Sequence, residues 1–226
     1  MRIIRNQRRI RTLGFIGQSG AWAGFIILIV SIVAFWSRPT WLLGGMVLGY
    51  ALVVGGGMLS DIYVGPMAHH EALAETLKYL GRRYTLLQYL LPASHVLLEP
   101  GGCTVFVVKA QGGEVSCEEG KWSHKQRGKL FRQFAGQERI GSPNIKAEHQ
   151  RSKLKRWLTK RLPDIEVPIR ATILFVNPDV TLEVDDSPVP VFHGKRVRAW
   201  LRGPGQLDPL PADVQKQLAQ ALTPRK

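Results

Sequence analysis

Two long uncharged segments near the N-terminus constrain this chain more than any other feature of its sequence. The first, Gly14 to Trp36, holds 23 residues without a charge, and the second, Trp41 to Ser60, holds 20. At about 1.5 Å per residue, an α-helix of either length crosses a hydrocarbon layer of about 30 Å. Because only residues 37–40 join the two segments, the second helix has to return antiparallel to the first. The sequence therefore predicts a transmembrane helical hairpin with spans at 14–36 and 41–60.

The arginines around this hairpin predict its orientation. Five arginines lie within residues 1–13, whereas the turn between the spans carries Arg38 alone. Since cytoplasmic segments carry the excess of Lys and Arg, residues 1–13 are predicted to be a basic cytoplasmic N-terminus, and both termini are placed in the cytoplasm. The predicted location is the cell membrane, with two spans. A cleaved signal peptide is the alternative interpretation, although no small-residue cleavage site follows and the apolar stretch is too long.

Glycine spacing within the spans predicts close helix packing. Gly20-x-x-x-Gly24 and Gly45-x-x-x-Gly49 would let the two helices approach each other, or pair with a second copy of the chain. The alternative is that glycine is simply common in membrane helices. Both interpretations stay open at the level of the sequence.

From Met67 onward the composition is mixed, and the apolar spacing predicts an α/β domain with a mixed sheet at residues 67–202. Proline and glycine separate its segments, as is typical of turns between short strands. Residues 203–226 are predicted to be a linker and a C-terminal helical tail. The predicted helices are one that begins at His70 and ends near Gly81, and those at 143–162, 194–201 and 212–222. The predicted strands are 85–91, 94–99, 104–108, 170–176 and 188–192, with a further short strand near Val115.

Several segments occur in an order that resembles a known family. They are HHEALAETLKYL with Glu71, SHVLLEP, TVFVVKAQGG, EEGKW, a Ser-Pro before a helix with EHQ, and RATILFV. Together, over about residues 67 to 202, they resemble the nuclease-related domain, known as NERD. The resemblance implies a restriction-endonuclease-like fold. It also implies a nuclease site that combines a helix Glu, an Asp on the second strand and a Glu-x-Lys on the third.

The residues at those positions do not supply the chemistry that such a site needs. Two carboxylates hold a divalent metal that polarises the phosphate and activates water, and the lysine stabilises charge on the transition state. Here Lys109 falls where the metal-binding Glu belongs, Gln111 falls at the Lys position, and Ser94 replaces the Asp. In the other register Lys109 takes the lysine position and Val107 the Glu position, again without a carboxylate. Of the implied site only Glu71 remains.

Nearby acids and histidines do not restore the site. Glu99 lies five residues from Ser94, which in an extended strand is about 16 Å away and on the opposite face. His69 and His70 are neighbours on a helix and point about 100° apart, which favours a polar cluster near the membrane over a shared metal ion. We therefore predict a domain without a cofactor and without phosphodiester cleavage. Mg²⁺ would be needed only by the alternative, a membrane-tethered nuclease with an altered site.

The positive charge of the chain is concentrated in one segment. Of the formal net charge of +14, residues 121–161 contribute +11, from 13 basic residues against Glu138 and Glu148. Nucleic acid is one partner for this segment, with Trp122, Phe131, Phe134 and Trp157 available for stacking. The anionic inner leaflet is another, and a solvated basic face without a partner is the third. The predicted binding residues are Lys121, Lys125, Arg127, Lys129, Arg132, Arg151, Lys153, Lys155, Arg156, Lys160 and Arg161.

These observations predict a membrane-anchored NERD-like protein that serves as a binding or scaffold module for nucleic acid or anionic lipid. The rival hypothesis is a membrane-tethered, metal-dependent nuclease, and a purely structural membrane protein is a third class. Cys103 and Cys117 are predicted to be free thiols, since two cysteines are too few for a disulfide framework or a zinc site.

Overall fold

The computed structural model describes residues 1–126 and 138–223. The chain divides into two compact units. One comprises Gln7–Ala68 with Gln126–Arg139, and the other comprises Met1–Asn6, His69–Lys125 and Ile140–Lys226. The first is called the hairpin unit and the second the α/β unit.

The hairpin unit contains two helices, α1 at Gln7–Ala34 and α2 at Pro39–Tyr63. Both are long and apolar enough to cross a membrane, and α1 starts seven residues before the predicted span at 14–36. Pro39 lies in the first turn of α2, where its missing N–H has no helical partner to lose. Only 17% of the most apolar stretch of α1 and 11% of that of α2 is buried. The helices therefore differ from the core helices of a soluble protein, whose apolar residues are covered by other parts of the fold.

The two helices touch through their glycines. A Cβ added at Gly24 would lie 2.6 Å from the Gly49 carbonyl oxygen, and one added at Gly49 would lie 2.8 Å from that of Gly24. Gly45 faces the Ser31 side chain just as closely, whereas a Cβ at Gly20 would make an ordinary contact of 3.9 Å. Gly24 and Gly49 thus lie where the backbones of the two helices approach each other, and Gly45 leaves room for the Ser31 side chain.

The α/β unit is built on a six-stranded sheet. Its members are β1 (Arg2–Arg5), β2 (Thr85–Gln88), β3 (His95–Glu99), β4 (Gly102–Lys109), β7 (Ile169–Phe175) and β9 (Val191–His193), in the order β1-β2-β3-β4-β7-β9. The β2–β3 and β3–β4 pairs are antiparallel, and the β1–β2, β4–β7 and β7–β9 pairs are parallel. The remaining described strands, β5 (Gly113–Glu118), β6 (Lys121–Lys125) and β8 (Val180–Val184), form a second sheet in the order β6-β5-β8. The predicted α/β class with a mixed sheet is confirmed.

The sheet also contains residues that the sequence analysis placed in a basic N-terminal segment. β1 pairs in parallel with β2, in register from Arg2 opposite Thr85 to Arg5 opposite Gln88. The N-terminal ammonium donates a hydrogen bond of 3.0 Å to the Leu80 carbonyl. Because β1 precedes α1 and β2 follows α2, the α/β unit takes strands from the chain on both sides of the hairpin.

Helices cover both faces of the large sheet. They are α3 (His69–Leu77), α4 (Pro143–Thr159), α5 (Arg196–Arg202) and α6 (Ala212–Leu222). Val105 and Val107 of β4 pack on the face covered by α4 and α6, and Phe106 and Val108 pack on the face covered by α3 and α5. Leu218 of α6 is only 1% exposed, so the helix predicted at 212–222 belongs to the core of the α/β unit, outside the predicted domain bounds of 67–202.

Candidate functional site

The strand positions that the nuclease resemblance implies as a site lie at one end of the large sheet. β2 ends at Gln88 opposite His95, the first residue of β3, and β4 ends at Lys109 opposite the last residue of β7. Ser94 directly precedes β3, and Gln111 follows β4 by two residues. Ser94, Lys109 and Gln111 therefore lie at the same end of the sheet.

These side chains are unlike those of a metal-dependent nuclease. Lys109 and Gln111 are buried, each 2% exposed, and the Ser94 amide donates a hydrogen bond of 3.1 Å to Gln150 Oε1. The Glu71 side chain is 68% exposed, with Oε1 3.9 Å from His70 Nε2. Within residues 1–126 and 138–223, no three His, Cys, Asp or Glu side chains meet as ligands of one ion would. The residues at the three strand positions do not fit a Mg²⁺ ion, because none of them offers a carboxylate.

A buried polar cluster, made of His70, Gln88, Tyr89 and His95, lies beside α3 at this end of the sheet. The Gln88 amide donates to the His70 carbonyl at 2.7 Å and accepts from Arg5 Nε at 2.7 Å. The Tyr89 ring lies 4.8 Å from the His95 ring and 6.1 Å from the His70 ring, centroid to centroid. Tyr89 has a φ of 58°, a left-handed conformation that costs a bulky residue energy and that its surroundings must compensate.

The fold lowers the pKa of both imidazoles in this cluster. Burial lowers the pKa of His95 well below its usual range, and the nearby charges of His69, His70 and Lys146 lower it further. Burial also lowers the pKa of His70, with help from Arg5, while the Glu71 carboxylate acts in the opposite direction. The four members of the cluster contact one another through a hydrogen bond and through their aromatic rings, and none of the four is a carboxylate.

Glu99 lies at the opposite end of β3, where it forms an ion pair. Its carboxylate accepts a hydrogen bond of 3.0 Å from Arg170 Nη2 and another from the Thr104 hydroxyl. The Arg170 guanidinium also lies over the Trp200 ring, 4.2 Å from its centroid. Glu99 therefore contributes to a structural ion pair at the far end of the sheet from Ser94.

The basic helix α4 presents a continuous cationic stripe. Lys153, Arg156 and Lys160 follow one another at positions i, i+3 and i+7, and all three are exposed. A groove of about 810 Å³ runs beside them and includes Pro92 and Trp157 in its lining. This set of three cations is called the α4 stripe. Within the described part of the chain none of the three has an ion-pair partner.

The remaining predicted basic residues are dispersed. Lys121 and Lys125 are exposed on β6, and Arg151 pairs with Glu148. Lys155 is exposed on α4 and lines the groove beside the α4 stripe. Arg161 lies over the Trp157 ring at 3.7 Å from its centroid. Arg127, Lys129 and Arg132 fall outside the described residues.

The tryptophans predicted as stacking platforms are packed. Trp122 stacks on Phe175 with a centroid distance of 6.0 Å and donates its Nε1–H to Asn144. Trp157 packs against the core, and Arg161 occupies one face of its ring. Both rings are partly buried against the core and partly exposed, so their availability for stacking with nucleic acid stays a prediction. Phe131 and Phe134 lie outside the described residues.

A second cationic surface was not predicted. It is formed by residues 78–83 and 195–202, which contain seven Lys and Arg and no Asp or Glu. Arg202 donates a hydrogen bond to the Tyr79 carbonyl, so the two segments meet in the fold. Charge counted along the sequence misses this surface, because acids elsewhere in residues 62–120 and 162–226 balance its cations. It is called the Tyr79 surface.

Comparison of the chain with known protein families, with curated proteins and with solved structures finds no match.

Proposed function

We propose that this chain is a membrane-anchored protein whose α/β unit binds anionic phosphate groups at the membrane surface and does not cleave phosphodiesters. The observation that carries the proposal is the α4 stripe, three exposed cations on one side of a helix that have no ion-pair partner among residues 1–126 and 138–223. Such a stripe attracts an anionic leaflet, and each cation near that leaflet contributes about 1 kcal/mol.

Exposed apolar side chains support the membrane anchor. Large apolar residues along both helices are exposed, among them Phe15, Trp22 and Val33 in α1 and Leu43 and Val47 in α2. An apolar surface of this extent is stable in contact with lipid and not with water.

β1 supports an uncleaved hairpin with both flanks on one side of the membrane. Removal of α1 as a signal peptide would also remove β1 from the sheet that it shares with β2. The pairing of these strands supports one compartment for the residues before α1 and after α2, which is what two spans require. The arginines before the first span favour the cytoplasm as that compartment.

The order of elements supports a restriction-endonuclease-like, NERD-like assignment for the α/β unit. The chain contains, in this order but not all consecutively, α3, β2, β3, β4, α4 and β7. Of these strands, β3 is antiparallel to both β2 and β4, and β7 is parallel to β4. Ser94, Lys109 and Gln111 lie together at one end of that sheet, where the resemblance implies the acidic site. Their chemistry supports a domain that has lost metal-dependent cleavage.

Two features favour a lipid surface over nucleic acid as the partner of the α4 stripe. The nearby Trp157 ring packs against the core beneath Arg161, so it contributes little to base stacking. The chain connections are short: Asn6 alone separates β1 from α1, and five residues separate α2 from α3. A domain tethered this closely meets the bilayer at a high effective concentration, so modest electrostatic attraction is sufficient.

A fluorophore on α4 of the full chain tests the lipid proposal. Ser152→Cys offers an exposed labelling position, and the native cysteines are both buried. In nanodiscs that contain anionic phospholipid and a quenching lipid, we expect quenching that weakens with salt. Lys153→Glu with Lys160→Glu should weaken this contact by about 2 kcal/mol or more, roughly thirtyfold, because two attractive charges become repulsive.

The matched control carries the fluorophore at Ala199→Cys, an exposed position on α5. We expect little quenching there, because α5 lies on the opposite face of the sheet. Equal quenching at both positions, or quenching at Ser152→Cys that is the same in neutral nanodiscs, would contradict the proposal.

The proposed loss of catalysis has its own test. Full-length protein in neutral micelles should not nick supercoiled plasmid in the presence of Mg²⁺ or Mn²⁺, because Ser94, Lys109 and Gln111 supply no carboxylate for a metal ion. The measurement is conversion of supercoiled to relaxed plasmid over time. Metal-dependent nicking that disappears in Glu71→Ala would instead establish the nuclease alternative.

A further inference from the structure

The Tyr79 surface combines cations with an exposed aromatic ring. Its segments, 78–83 and 195–202, join the end of α3 to α5 through a shared apolar core in which Leu77 and Leu80 meet Val197 and Leu201. The Tyr79 side chain projects from this junction and is 63% exposed. An aromatic ring is thus accessible within a cationic surface.

Cations surround that ring. Lys78 Nζ and the Arg198 guanidinium both lie over the Tyr79 ring, 5.0 Å and 5.1 Å from its centroid, compared with 3.7 Å for Arg161 over Trp157. A base that stacks on Tyr79 would take the place of one of these two long side chains. Lys195 and Arg196 are exposed, and with Lys78 and His193 they line an adjacent groove of about 470 Å³. The groove also includes the Glu75 carboxylate, which pairs with Lys78. The cations therefore outnumber the acid in the groove, and that acid is already neutralised.

The position of this surface separates it from the α4 stripe. α3 and α5 pack on the sheet face that contains Phe106 and Val108, whereas α4 packs on the face that contains Val105 and Val107. A planar bilayer in contact with the outer side of α4 does not reach α5, since the sheet lies between the two helices. If α4 faces the membrane, the Tyr79 surface is open to a partner in solution.

We propose that the Tyr79 surface binds single-stranded nucleic acid, with Lys195, Arg196 and Arg198 contacting phosphates and the Tyr79 ring stacking on a base. Arginine binds phosphate through two parallel hydrogen bonds, and an exposed aromatic ring stacks on any unpaired base without sequence preference. An acidic protein segment would use the cations but would gain little from the ring. This inference goes beyond the proposed function, because it concerns the other face of the sheet and does not require lipid binding by α4.

Binding of a fluorescent oligothymidine of about 20 nucleotides to the full chain in neutral micelles tests the inference. Fluorescence anisotropy across a salt series gives the affinity and its salt dependence. Lys195→Glu with Arg196→Glu is expected to weaken binding at least tenfold and to reduce the slope of log K against log salt by about 1.4, which corresponds to two lost phosphate contacts. Tyr79→Ala is expected to weaken binding about tenfold without changing that slope, because it removes stacking and no charge.

Lys216→Glu is the matched control for Lys195→Glu alone, since it makes the same change of charge at an exposed position of α6, on the other face of the sheet. We expect it to change oligothymidine affinity less than threefold. No binding by the unmodified chain, or an equal loss in the control, would overturn the inference whatever the α4 stripe does with lipid. Competition by polyglutamate as strong as that by unlabelled oligothymidine, together with no effect of Tyr79→Ala, would assign the surface to acidic protein segments and would also overturn it.

Discussion

Replacing Arg170 with methionine is expected to lower the free energy of unfolding of the α/β unit by about 3 to 5 kcal/mol, because it leaves a buried carboxylate without its counter-ion. The Glu99 side chain is 3% exposed and receives its charge compensation from Arg170 at 3.0 Å. Burial raises the pKa of the Glu99 carboxyl even with this partner present, while the hydrogen bonds from Thr104 and Arg170 oppose the rise. Burying the Glu99–Arg170 pair therefore costs free energy, and removing only one of its two charges costs more.

A double substitution distinguishes an uncompensated charge from lost packing. Arg170→Met combined with Glu99→Gln should be more stable than Arg170→Met alone, because no buried charge remains. The penalty of Arg170→Met should also shrink at acid pH, where Glu99 takes up a proton. Arg151→Met is the matched control: Arg151 pairs with Glu148 at the surface, and its loss should cost at most about 1 kcal/mol. Amide hydrogen exchange in β3 and β4 measures these changes, and a double variant as unstable as Arg170→Met would contradict the explanation.

The elements that could be predicted from the sequence have patterns that local physics sets. β3, β4 and β7 are runs of apolar residues between proline or glycine turns, and they lie within two residues of their predicted bounds. Pro143 and Pro163 bracket α4 because proline is tolerated only in the first turn of a helix. The two apolar helices followed from the same kind of argument, since an uncharged run of this length has few other folds available to it.

Two of the elements that were missed, β1 and β8, depend on partners far away in the chain. β1 has only four residues, Arg2–Arg5, and it forms a strand because β2, some 83 residues later, offers an open edge. β8 at Val180–Val184 is ordered by its pairing with β5. Neither pairing has a local signal in the sequence. In contrast, the helix predicted to end near Gly81 was too long, because the chain leaves α3 after Leu77 and turns towards β2.

The residues of the candidate site also divide into those that could be predicted from the sequence and those that could not. The degenerate positions Ser94, Lys109 and Gln111 could be identified from order and spacing, because strands carry their residue order into space. The buried cluster of His70, Gln88, Tyr89 and His95 could not, since its members become neighbours only when β2 pairs with β3. The Tyr79 surface was hidden for a further reason: its cations come from two segments that meet only in the folded unit.

The buried histidines are expected to make the α/β unit unstable in mild acid. In the unfolded chain a histidine binds a proton below about pH 6.5. Burial lowers the pKa of His95 well below that value and lowers the pKa of His70 as well. In mild acid these two histidines therefore bind fewer protons in the folded unit than in the unfolded chain. The free energy of unfolding should therefore fall as the pH falls below about 6.5, by up to about 1.4 kcal/mol per pH unit for each histidine.

Hydrogen exchange of β3 and β4 amides between about pH 7 and 5, corrected for intrinsic exchange rates, measures this dependence. His95→Gln removes one titrating group, so it should reduce the slope of stability against pH by up to about 1.4 kcal/mol per unit, whatever it does to the stability at neutral pH. His149→Gln is the matched control, because His149 is exposed on α4 and meets solvent in both states. An unchanged slope in His95→Gln, or an equal reduction in His149→Gln, would show that burial of the cluster is not what links folding to pH.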